Sequence, residues 1–230
     1  SQVKPTITFT EEDGLASNDV KDIIRDKNGI LWIATDNGLS RYDGEKFQNI
    51  YKADGLPSNR VWSLAVDTNN TIYAACFQDG LAIIRNNSVV KILHTTGKLP
   101  NSFRKLYYSN YHQKLLVGTD FGLYILNDTI LLPINYTKDT AYKSQILSFS
   151  EYGSRIFFTI LGGEAQGLHE LLINSTRLEK SYAKRITGFG RFASVVFNDT
   201  LYSSDYNIIL KNPLSSIDKQ YRSRADSLFY

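Results

Sequence analysis

Three carboxylates, Asp36, Asp120 and Glu164, follow apolar runs at corresponding places along this chain. Gathered at one mouth, such groups could share the work of glycoside hydrolysis or hold a hard cation. Asp36 and Asp120 nevertheless fall in turns, where Asp is favoured because its side chain bonds the nearby backbone. Catalysis is therefore not expected of them, and neither a metal nor a cofactor is implied. A second constellation is aromatic. Phe77 and Phe121 occupy equivalent turns, and Arg60 and Trp62 stand shortly before Phe77. Rings beside an arginine on a rigid rim suit a small, flat, hydroxylated ligand. The competing reading of Trp62 is simple packing between sheets. The candidate binding rim is thus Phe77, Phe121, Arg60, Trp62, Asp36, Asp120 and Glu164.

Nucleophilic chemistry is poorly supported. His94, His112 and His169 share no spacing with one another or with a serine or cysteine that would make them a base or a ligand set. Cys76 is the sole cysteine, so it offers no disulfide, and its place after an apolar run suits a small buried thiol. No glycine-rich phosphate loop opens a helix. Asp26, Asp67 and Glu151 fall at the opposite ends of the strands from the rim and are expected to form turns there.

The elements that position these residues come from a repeat. Val20–Arg25, Ile30–Thr35, Leu39–Tyr42 and Phe47–Ile50 read as four short strands, separated by Asp-Lys-Asn-Gly, Asp-Asn-Gly and Asp-Gly-Glu. Asn-Gly and Asp-Gly favour tight hairpins because such turns need φ > 0. The pattern returns 41 residues later: Asp54-Gly55-Leu56-Pro57-Ser58-Asn59 answers Asp13-Gly14-Leu15-Ala16-Ser17-Asn18. A period in the low forties with four strands per unit predicts an all-β β-propeller of four-stranded antiparallel blades. About five units are visible, over residues 13–50, 54–93, 97–135, 145–180 and 190–212. Thr6–Thr10 alternates like a strand and is expected to close the last blade. Residues 213–230 are expected to be a tail or the start of a further blade. The loop around Glu164 is longer than its counterparts, a tolerated place for an insertion.

The motif DGLxSN, followed by V-x-x-I-x-x-D-x-x-G-x-LWIAT and then GL-x-R-Y-D, resembles the two-component regulator propeller repeat, most closely over Asp13–Asp43. That resemblance implies the extracytoplasmic sensor region of a bacterial hybrid histidine kinase, on the periplasmic or extracellular face of the membrane. It further implies a carbohydrate-derived ligand, a downstream kinase region in the same protein, and signalling by rearrangement within a homodimer. A secreted propeller glycoside hydrolase or lyase is the enzymatic alternative, and a protein-binding scaffold the third.

Composition narrows the field. With 230 residues, 42% hydrophobic, the chain can bury a sizeable core, and 13% aromatics suit strands. A net charge of +3 without a clustered basic face argues against nucleic acid as a partner. No apolar run is long enough to cross a bilayer as a helix. The absence of methionine leads to the expectation of a processed or trimmed chain.

Overall fold

The computed structural model describes residues 7–94, 101–134, 144–163, 165–187, 192–205 and 208–217. They form two compact units, Ser1–Tyr108 and Ser109–Tyr230. In the first unit, strands β1 (Val20–Arg25), β2 (Leu31–Thr35), β3 (Gly38–Tyr42) and β4 (Phe47–Ile50) make one antiparallel meander. Strands β5 (Val61–Val66), β6 (Ile72–Gln78), β7 (Gly80–Arg85) and β8 (Ser88–Leu93) make the next. The start of β9 (Asn101–Ser109) pairs with the end of β6, Phe77 facing Ser102. In the second unit, β10 (Lys114–Thr119), β11 (Gly122–Asn127) and β12 (Ile130–Pro133) continue the pattern. They are followed by the four-stranded sheet β13 (Gln145–Tyr152), β14 (Arg155–Leu161), β15 (Gly167–Leu172) and β16 (Tyr182–Thr187). The three-stranded sheet β17 (Ala193–Phe197), β18 (Thr200–Asp205) and β19 (Ile208–Pro213) comes last. These are the antiparallel blades of a β-propeller fold, in the order the repeat predicts.

The middle strands are apolar on both faces because both faces are covered. Trp32, Ala34, Leu39, Leu64, Ile72 and Ile84 belong to one core in the first unit. Phe157, Leu168, Leu201, Leu214 and Ile217 form a corresponding core in the second. The first strands of the first unit are joined in a recurring way. Asp22 in β1 accepts the Ser63 hydroxyl at 2.7 Å and the Leu64 N–H at 3.1 Å, and Ser63 accepts the Leu106 N–H at 3.1 Å. These bonds align Asp22, Ser63 and Lys105 as one repeat position.

The DGLxSN motif proves to be structural. Asp13 accepts the Thr10 N–H at 2.8 Å and Asp54 the Tyr51 N–H at 2.9 Å, each capping one 3-10 turn. Gly14 and Gly55 end those turns at φ 101° and 106°, a region open to glycine. Leu15 and Leu56 drop into the core, while Asn18 and Asn59 fold back to accept the N–H groups of Glu11 and Lys52.

Two expectations need amendment, and a third falls largely outside the described residues. Residues 7–10 make no strand, because Thr10 is engaged in capping and Phe9 packs against the rings of Tyr42 and Phe47; Thr6 lies outside the described residues. The fourth unit reaches past residue 180, since β16 runs to Thr187. After β19 the chain takes a helical turn at residues 214–217, with Leu214 and Ile217 buried, and 218–230 lie outside the described residues.

Candidate functional site

The rim residues of the first unit converge through an irregularity of β5. Val61 faces Cys76 and Ser63 faces Ala75, so Trp62 is the extra residue of a β-bulge. Lys21 in β1 and Leu147 in β13 are extra in the same sense. A bulge re-aims the side chain it carries. Trp62 lies flat against Phe77, ring centroids 4.4 Å apart and planes 11° from parallel. Arg60 covers Phe77 with its guanidinium 5.0 Å from the ring centre. Arg104 stands 5.0 Å from Trp62 and 5.8 Å from Phe77. With the rings 4.4 Å apart, those two distances put Arg104 beside the pair rather than beyond it.

Arg60 is positioned from both sides. Its carbonyl accepts the Phe77 N–H at 2.9 Å, and its Nε lies 3.5 Å from Asp36 Oδ1. The preceding Asn59 bonds the first blade through Gly38 N–H to its carbonyl at 2.7 Å, and through its own amide to Asn37 at 3.1 Å. The Arg60–Asp36 pair is about half exposed on both sides, so it contributes at most about 1 kcal/mol. The stacked rings, at about 0.5–1.5 kcal/mol beyond their buried area, matter more. The indole Nε1 of Trp62 is buried without an acceptor. A buried donor left unpaired costs about 1–3 kcal/mol, and such orphans are uncommon away from functional sites.

The β2–β3 turn is held differently from the sequence expectation. Thr35, not Asp36, closes the β2–β3 turn: its hydroxyl donates to the Gly38 carbonyl at 2.8 Å and accepts the Asn37 N–H at 3.2 Å. Thr119 does the same for Gly122 and Phe121, at 2.9 Å and 3.0 Å. The carboxylate of Asp36 is thereby released from turn-making and meets Arg60. In the second blade the corresponding place is taken by Cys76, fully buried, whose thiol is pushed up to about 12 by desolvation. It is an inert core group.

Asp120 is buried and Phe121 half-buried in the second unit, where Phe121 bridges to Ser144. Glu164 lies outside the described residues. Among the described residues no group of three or more His, Cys, Asp or Glu gathers. His169 is buried on Phe158, ring centres 5.3 Å apart, and the His112 ring reaches the Ser154 carbonyl at 2.8 Å. Asp26 and Asp67 form turns as expected, whereas Glu151 lies within β13 and accepts the Ser109 hydroxyl. Arg104 is the residue that sequence reasoning missed. The alignment of Asp22, Ser63 and Lys105 makes Lys21, Trp62 and Arg104 equivalent, so the repeat itself carried the signal one unit further on.

Comparison with known proteins adds the following. Residues 14–37 match the family model for the two component regulator propeller. Over 54 residues the chain is 41% identical to histidine kinase P4 of Formosa agariphila, covering 24% of this chain and 4% of that protein. The extracellular domain of a protein assigned to a hybrid two component system in B. thetaiotaomicron superposes with a TM-score of 0.66 at 18% identity. That match covers 87% of this chain and 28% of the other. A gluconolactonase of Xanthomonas campestris superposes with a TM-score of 0.58 at 8% identity, over 84% of this chain and 71% of its own. The structural likenesses speak for the fold. The chain spans a small fraction of the histidine kinase and of the two component system domain that it matches.

Proposed function

From a chain whose residues 14–37 are a two component regulator propeller repeat, we propose a non-catalytic ligand-sensing module. It serves as an N-terminal, extracytoplasmic part of a two-component sensor histidine kinase, on the periplasmic or outer face of a bacterial membrane. The ligand is carbohydrate-derived, and binding is transmitted to the kinase region through rearrangement of a homodimer. The observation that carries this reading is the Trp62–Phe77 stack, set by a bulge and flanked by Arg60 and Arg104. Half-exposed aromatic surface next to guanidinium groups favours sugar faces and their hydroxyls. Asp36, tied to Arg60, orients that guanidinium instead of acting as an acid or base.

The test is a panel of plant, host and bacterial glycans, read by calorimetry for binding and by reducing-end release for turnover. Binding without turnover, lost in Trp62→Ala and Phe77→Ala, is expected. Turnover that disappears in Asp36→Asn or Asp120→Asn would replace the sensor reading with a hydrolase. A panel that gives neither binding nor turnover would leave a protein-binding scaffold as the better account.

A further inference from the structure

The hairpin ends of the first unit that lie away from the aromatic stack enclose a cleft of about 710 Å³. Ile30, Trp32, Ile72 and Ile84 supply its apolar lining. Three cations line it: Lys27, Arg41 and Arg85. One carboxylate, Asp26, faces them, but its oxygens are already occupied by the N–H groups of Asn28, Ile30 and Trp32. The cleft therefore carries an excess of positive charge. Arg41 is the decisive group. Its side chain is mostly buried and its Nε is buried with no acceptor, while one terminal nitrogen is shared between Gln48 at 3.2 Å and the Asp43 carboxylate at 3.8 Å. Arg85 uses its Nε on the Thr71 hydroxyl at 3.3 Å, which leaves the fork of its guanidinium available. Lys27 gives one proton to the Thr68 carbonyl and retains two.

Amides complete the rim. Asn28, Asn69, Asn70, Asn86 and Asn87 all line the cleft. Turn geometry accounts for Asn at 70, 86 and 87, whose φ values are 64°, 50° and 63°. It does not account for three cations converging on the same space. We propose that this cleft binds a sugar acid, its carboxylate held by Arg41, Arg85 and Lys27 and its hydroxyls by the asparagine amides. Arginine forks match carboxylates in two-point geometry, and amides can both donate to and accept from hydroxyls. The site is separate from the aromatic stack and does not depend on that reading.

The probe is D-galacturonate, titrated calorimetrically into the intact chain, with D-galactose, acetate and sulfate as comparisons. Saturable binding of galacturonate in the millimolar range or tighter is expected, weakening as salt is raised. Galactose, lacking the charge, and acetate and sulfate, lacking the hydroxyls, bind at least about tenfold more weakly. Arg85→Gln, at an exposed position, and Arg41→Gln each lower affinity by about tenfold or more with unchanged melting of Arg85→Gln. Acetate or sulfate binding as tightly as galacturonate would overturn the sugar-acid assignment in favour of a bare anion site. Binding abolished by Trp62→Ala but not by Arg85→Gln would move the ligand to the aromatic stack and overturn the cleft. Absence of galacturonate binding in the folded wild-type chain would overturn it outright.

Discussion

The carboxylate of Asp26 accepts the indole N–H of Trp32 at 3.1 Å, and one repeat later Asp67 accepts the phenol O–H of Tyr73 at 3.1 Å. Each aspartate also takes two backbone N–H groups of its own hairpin: Asn28 and Ile30 in the first, Asn69 and Thr71 in the second. The turn is thus bolted to the large ring beneath it. That gives both the turn residue and the core aromatic a role which neither shows alone.

Trp32 is 2% exposed, and Trp32→Ala is expected to cost about 3–5 kcal/mol, the range for emptying a large aromatic core site. Asp26→Ala strands the indole donor and two turn amides, with an expected loss of about 1–3 kcal/mol. Urea titration measures both. A loss below about 1 kcal/mol for Trp32→Ala would contradict its place in the core.

Gly38 and Gly44 separate backbone strain from collision. Both have positive φ, 124° and 102°. A Cβ at Gly44 meets nothing within 4 Å, whereas one at Gly38 would lie 2.8 Å from the Tyr51 ring and 3.2 Å from Ala16. Gly44→Ala is expected to lose about 1–2 kcal/mol and Gly38→Ala clearly more, since Tyr51 must shift as well. Equal melting temperatures for the two variants would refute the close approach.

The thiol of Cys76 holds its proton more tightly when folded, its pKa raised from 9.0 to about 12 by desolvation. A raised folded pKa contributes stability that is complete below pH 9 and is lost as pH rises towards 12. Tyr73, also raised by burial and by Asp67, adds the same slope only above its ordinary value of 10.0. Urea midpoints at about pH 8 and pH 10 should therefore fall in the wild type and stay nearer level in Cys76→Ala. A thiol reagent should label Cys76 only on unfolding.

His169 has the opposite dependence. Desolvation lowers its pKa from 6.5 to about 4, so the fold holds the neutral ring. Its contribution is complete above pH 6.5 and is lost as pH falls through about 4. Replacing it by Phe, which keeps the stacking on Phe158, should flatten acid destabilisation over that interval. An unchanged acid limb in His169→Phe would show that other groups govern it.

Much of the fold was legible because its determinants are local. Strands β1, β2 and β5 begin and end where apolar runs meet Asn-Gly, Asp-Gly and their relatives, and a turn is specified by the few residues it contains. The burial of Trp32, Cys76 and the middle strands follows equally from runs too apolar to face water. The strand expected near Thr10 failed for a comparably local reason. Thr10 and Asp13 prefer each other's hydrogen bonds to an open ladder.

Sequence alone determined the repeat, its blades and the grouping of Arg60, Trp62 and Phe77 near one end of the strands. Tertiary structure decided what those residues do. A bulge shifts one side chain against the ladder without altering any spacing, so the stacking of Trp62 on Phe77 could not be counted out along the chain. Arg104 joins them from the next first strand, and Arg41, Arg85 and Lys27 face one cleft from three different hairpins. Such meetings depend on how neighbouring sheets pack. Packing is fixed by side-chain volumes and hydrogen bonds between blades some forty residues apart, while the sequence pattern records only the faces each strand must bury.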